Sequence, residues 1–167
     1  MKQQKIKQMI LGSLGIALIF ISTFYFKIPS VNQGYLHLGD GFVLLFASVL
    51  PSITSFLCVG LGSAFADIIG GYTIYAVPTF FIKGIEAVII HYIMCKLSKK
   101  YNIFAYIVGG IWMILGYYLF DAFLTNSWIV PLAGIFGNFM QALLGIVIAL
   151  CLTPIIRKIN QDNSNHI

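Results

Sequence analysis

Apolar residues in this chain come in long unbroken runs rather than in alternation with polar ones. The stretches 9–26, 42–57, 60–69, 77–95, 104–123 and 129–156 carry few charges or none. A membrane-crossing helix needs about 20 apolar residues at a rise of about 1.5 Å each, so five of these runs predict spans and 60–69 is too short to cross alone. The positions of the cations decide whether it counts. Lys2, Lys5 and Lys7 precede the first run, Lys96, Lys99 and Lys100 follow the fourth, and Arg157 and Lys158 close the last. If all three basic clusters are retained on the cytoplasmic side, an even number of crossings must separate each pair. The segment from 41 to 95 then crosses an odd number of times, and three compact crossings use its apolar length better than one. The expectation is an all-α membrane protein: a compact bundle of six transmembrane helices with both termini cytoplasmic.

Composition agrees. Of 167 residues, 59% are hydrophobic and 9% charged, against about a quarter charged in a soluble domain, and the mean hydropathy is +0.93. That leaves too few polar residues to cover a water-soluble fold. The net charge of +5 is a topology signal rather than a sign of nucleic-acid binding, since eight of the ten basic residues flank apolar runs. The run at 9–26 follows a basic stretch but lacks a small-residue cleavage site, so it reads as a retained helix rather than a signal peptide. Cys58, Cys95 and Cys151 are widely spaced without a CxxC, and they read as packing residues rather than disulfide or zinc ligands. Residues 1–159 are expected to form a single six-helix domain and 160–167 a disordered cytoplasmic tail.

Ionisable residues inside apolar runs are the most informative, because each costs about 2.5–3.5 kcal/mol at a helix centre. They are Asp67, Lys83, Glu86 and Asp121, with His37 and Asp40 at the boundary of the second run. Placed on the expected helices, all the carboxylates fall in the outer half. Lys83 and Glu86, three apart, share a face of the fourth helix, as do Tyr117 and Asp121 in the fifth. Gly134, Asn138, Gln141 and Gly145 form a stripe along the sixth. Convergent polar groups in an apolar bundle suit a small-molecule site, with Tyr35, Tyr72, Tyr75 and Trp128 available to close it. Each group also has a structural reading. Lys83 and Glu86 read equally as a self-neutralising pair, Asp40 as a helix cap, Asn138 and Gln141 as interhelical glue, and His91 as a packed histidine. Pro78 reads as a first-turn residue of the fourth helix.

Catalytic signatures are missing. There is no GxxxxGK[ST], HExxH or GxSxG, so the chain does not hydrolyse ATP by itself, and no metal or cofactor is expected. Ser13 and Ala17 form a small-xxx-small pair that lets a second helix approach closely.

The motifs Tyr35-Leu36-His37-Leu38-Gly39-Asp40, Gly62-Ser63-Ala64-Phe65-Ala66-Asp67 with Gly71-Tyr72, and Tyr75-Ala76-Val77-Pro78-Thr79 leading to Lys83-Gly84 and Glu86 resemble the substrate-binding S component of energy-coupling factor (ECF) vitamin transporters. The likeness is to the branch with riboflavin, hydroxymethylpyrimidine and pyridoxine types, and Gly109-Gly110, Gly116-Tyr117 and 138–145 also fit it. The resemblance implies a multi-pass cell-membrane protein that captures a small water-soluble vitamin or precursor, of hydroxymethylpyrimidine or pyridoxine type, at the outer face. It also implies delivery inward with an ECF transmembrane coupling subunit and two ABC ATPase subunits. Site residues implied by it are Tyr35, Lys83, Glu86, Tyr117, Asp121, Asn138 and Gln141, with Ser13 and Ala17 docking the partner. Membrane lipid is an expected partner, nucleic acid is not, and no enzymatic activity is expected. The alternatives are a riboflavin-specific S component and an intramembrane enzyme using Asp67, Glu86 or Asp121 as acid or base.

Overall fold

The computed structural model describes residues 2–29, 35–97 and 102–162. In chain order the elements are α1 (Lys2–Tyr25), β1 (Lys27–Pro29), β2 (Tyr35–His37), α2 (Asp40–Val49), α3 (Ser52–Gly70), α4 (Thr73–Lys96), α5 (Asn102–Thr125) and α6 (Leu132–Asp162). All the helices but α2 are long and apolar enough to cross a membrane. The expected all-α class needs one addition, a short antiparallel hairpin in which Lys27 faces His37 and Pro29 faces Tyr35. Helix α6 runs to Asp162, three residues into the expected tail; 163–167 lie outside the described residues.

The six expected helices are present, but the short one is α2 rather than α3. Pro51 is the reason. Its ring disfavours helical backbone in the residue before it, and Leu50 is extended (φ −96°, ψ 151°), ending α2. Pro51 then becomes the N-cap of α3, which runs unbroken for 19 residues. With 10 residues, α2 is only about 15 Å long. Similarly, α4 begins at Thr73, a full turn before the expected start, which places Pro78 inside the helix. Gly71 closes α3 in the left-handed region at φ 87°, a conformation that glycine adopts without strain, and Tyr72 then leads into α4.

Helices α1 and α3 run side by side, with Gly12 opposite Thr54 and Gly15 opposite Cys58. A Cβ on Gly15 would stand 2.5 Å from the Cys58 sulfur, so this contact depends on glycine. Helix α2 packs chiefly on α6 and α4, and α3, α4, α5 and α6 pack as successive neighbours apart from α3 with α6. A core of Ile19, Val43, Leu44, Phe46, Val59, Ile90 and Tyr106 fills the half of the bundle nearer the termini. Ile82, Met113 and Ala142 form a smaller cluster nearer the hairpin. Cys58 is buried as expected of a packing residue, whereas Cys95 and Cys151 are exposed on the bundle surface.

A buried charged centre beneath the hairpin

Because α2 is short, its first residue lies deep in the bundle. Asp40 packs against Gly145, the fourteenth residue of the 31-residue α6, so closely that a Cβ there would stand 2.9 Å from Asp40 Cβ. Asp40 also meets Lys83, the eleventh residue of the 24-residue α4. The expected helix cap is therefore not its role: Gly39 is the N-cap, and no side-chain cap bond is made at the start of α2. Instead the Lys83 ammonium donates to Asp40 Oδ1 at 2.6 Å, and the Gln141 amide donates to Asp40 Oδ2 at 2.8 Å. The Gln141 carbonyl oxygen accepts from the His37 backbone N–H at 3.1 Å. Glu86 Oε2 lies 3.3 Å from the Lys83 ammonium, outside hydrogen-bonding geometry, and has no hydrogen-bond partner among the described residues. Met113 Sδ closes the shell at 2.8 Å from Lys83 Nζ.

Lys83, Glu86, Asp40 and Gln141 are each at most 4% exposed. At such burial every polar group needs a partner, and the partners come from β2, α2, α4, α5 and α6. Lys83 and Glu86 thus lie side by side, in keeping with one of the two readings of them, but the stronger partner of Lys83 is Asp40. They also straddle the midpoint of α4 instead of its outer half, since α4 starts earlier than the sequence pattern suggested.

Toward the hairpin end a polar seam joins α4 to α5. Tyr117 donates from its hydroxyl to Thr79 Oγ1 at 3.1 Å, and its ring lies 5.9 Å from the Lys83 ammonium. One turn further out Tyr75 donates to Asp121 Oδ1 at 2.8 Å, so Tyr117 and Asp121 do share the inward face. On α6 Gln141 is buried, while Asn138 is half-buried and makes no side-chain hydrogen bond among the described residues. Tyr35 is placed in β2 by its backbone, and its side chain lies outside the described residues. Ser13 and Ala17 lie on the exposed face of α1, away from the α3 contact, and the Ser13 hydroxyl is turned to the Met9 carbonyl at 3.0 Å.

His37 is the residue the sequence signalled least. It stands outside the helices, and burial pushes its imidazole from 6.5 down to about 4, with the Asp40 carboxylate opposing the shift and the Lys83 ammonium adding to it. The Gly39 N–H donates to Nδ1 at 3.1 Å, so the neutral ring carries its proton on Nε2. The 3.3 Å approach of the Gln141 nitrogen to Nε2 is then a contact between two donors and not a hydrogen bond. The unfolded chain takes up this proton at higher pH than the folded one, so stability is fullest above about pH 6.5 and falls as pH drops toward 4. The expected loss is on the order of 3 kcal/mol. Acid melting of the wild type against His37→Asn checks it: the variant should lack this slope.

This is a polytopic helical bundle whose charged centre is roofed by a loop hairpin, the architecture of a membrane protein that holds a polar ligand. The family model described as "ECF-type riboflavin transporter, S component" matches residues 3–158. A protein of Pyrococcus woesei described as "Uncharacterized protein in gap 3'region" is 33% identical over 143 residues, covering 84% of this chain and 95% of that relative. The chain belongs to the ECF transporter S-component family. It is a membrane-embedded vitamin-capture subunit that works with ECF transmembrane and ATPase modules, and it is a transporter component rather than an enzyme.

Proposed function

We propose that this subunit captures a single-ring, nitrogen-containing vitamin or precursor of hydroxymethylpyrimidine or pyridoxine type, bound between the hairpin and the faces of α4, α5 and α6. The observation that carries the reading is the polar seam above the charged centre. Tyr75 with Asp121 and Thr79 with Tyr117 set hydroxyl donors and acceptors within about two helical turns of Lys83, a spacing suited to a compact ring with hydroxymethyl substituents. Tyr35, Tyr117, Asp121 and Asn138 hold the ring, and Lys83, Glu86 and Gln141 form the floor. Asn138, half-buried with its amide uncommitted among the described residues, supplies both a donor and an acceptor. Riboflavin is the second reading, favoured by the description of the matching family.

In this reading residues 1–159 act as one domain with both termini cytoplasmic, as the flanking lysines and arginines favour. The exposed Ser13 and Ala17 face of α1 is where the coupling subunit, itself carrying two ABC ATPases, docks. A thermal-shift panel on the purified protein tests the substrate. A compound present at about 100 times its Kd adds about 2.7 kcal/mol of stability, so pyridoxine or hydroxymethylpyrimidine should raise the melting temperature by several degrees. A shift with riboflavin alone moves the assignment to the flavin, and no shift with any B vitamin or precursor contradicts capture.

A further inference from the structure

A second site lies at the opposite end of the bundle from the hairpin. An open groove of about 440 Å³ is bounded by the first turns of α1, the α2–α3 turn and the last turns of α4. Its origin is the early end of α2. Gly12 of α1 is level with Thr54 of α3, so the residues of α1 before it run on past the α2–α3 turn, and α4 flanks the recess with His91. Leu11, Val49 and Pro51 give the groove an apolar wall, and Lys7, Gln8 and His91 line it with polar groups. The volume is within the range of ligand sites.

The described charges around it have one sign. Among the described residues no acidic side chain lines the groove. Four of the five acids in the chain, Asp40, Asp67, Glu86 and Asp121, stand elsewhere, and only Asp162 falls near the termini in sequence. Lys2, Lys5, Lys7 and Lys96 belong to the helix ends around the groove. His91, expected to be packed in the interior, is half-buried at this site, with Nε2 3.4 Å from Cys95 Sγ. An apolar wall beside a cationic rim, at the end of helices long enough to cross a bilayer, complements an amphiphile with a negative head.

We propose that this groove is a binding site for an anionic phospholipid, whose phosphate is met by Lys7 and His91 and whose acyl chains lie along Leu11 and Val49. The inference does not rest on the vitamin assignment. Basic groups at a membrane surface favour anionic headgroups by about a factor of five each. Native mass spectrometry of the full chain in detergent, with equal amounts of phosphatidylglycerol and phosphatidylcholine, reads the preference directly. At least about fivefold more phosphatidylglycerol should be retained, and Lys7→Gln with His91→Gln should cut the preference by at least about fivefold without lowering the melting temperature. Equal retention of both lipids by the wild type, or a preference that the double substitution leaves unchanged, would overturn the site. Displacement of the lipid by an equal concentration of inorganic phosphate would show a soluble-anion site and overturn the lipid assignment. Protection of the Lys7 amine from acylation by the coupling subunit but not by phosphatidylglycerol would assign the groove to a protein partner and overturn it as well.

Discussion

Lys83→Met is expected to destabilise the protein by about 3–5 kcal/mol, the cost typical of removing one partner from a buried ion pair. The side chain is fully buried and stands 2.6 Å from Asp40 and 3.3 Å from Glu86. Methionine fills most of the volume, so the loss reports charge rather than a cavity. Without the ammonium, two carboxylates face each other with no cation between them. Pairing Lys83→Met with Asp40→Asn and Glu86→Gln removes the stranded charges, and most of the stability should return. Equilibrium unfolding in detergent checks both. A loss below about 1 kcal/mol for the single variant, in the range of an exposed pair, would contradict the place of Lys83 at the centre of the network.

Gly145→Val should have the second largest effect, by pushing the start of α2 off α6. Even a Cβ at this position would stand 2.9 Å from Asp40 Cβ and 3.1 Å from its backbone carbon, and backbone does not yield as a flexible side chain does. Overpacking of this kind costs about 1–3 kcal/mol. It should also break the bond from Gln141 to Asp40 and so misplace the floor of the site, lowering vitamin affinity by more than the stability loss alone explains. Gly12→Ala is the control. Its Cβ would meet only Thr54 Cγ2 at 3.3 Å, and both melting temperature and binding should stay near wild type. Binding isotherms and melts of the two variants side by side separate a displaced α2 from general overpacking.

The sequence carried the outline of the bundle because apolar run length and cation position are local signals. The flanking lysines together with the apolar length between residues 41 and 95 lead to an expectation of three helices there, and three are present. The boundary between α2 and α3 was missed because residues 42–57 are uncharged throughout, and hydrophobicity does not register the backbone limit that Pro51 sets on Leu50. The hairpin was missed because each of its strands has three residues, too few for alternation to show. At the site, the Lys83 and Glu86 pair was legible at spacing i, i+3. The stronger Lys83–Asp40 pair spans 43 residues, and the Gln141–Asp40 bond spans 101. Nothing local links such residues, so Asp40 looked like a cap and His37 like a loop residue. The one available clue was that an intramembrane lysine with a single i+3 carboxylate partner still has donors to place.

The central claim is that this chain holds a vitamin in the membrane. Native mass spectrometry of protein purified directly from membranes, without added ligand, tests it most directly, since an S component binding its substrate tightly carries it through purification. The account predicts an adduct with the mass of a pyridoxine-type or hydroxymethylpyrimidine-type compound, absent from Gly145→Val. Protein that carries no vitamin adduct, and that takes up none when B vitamins and their precursors are supplied in excess, would contradict it.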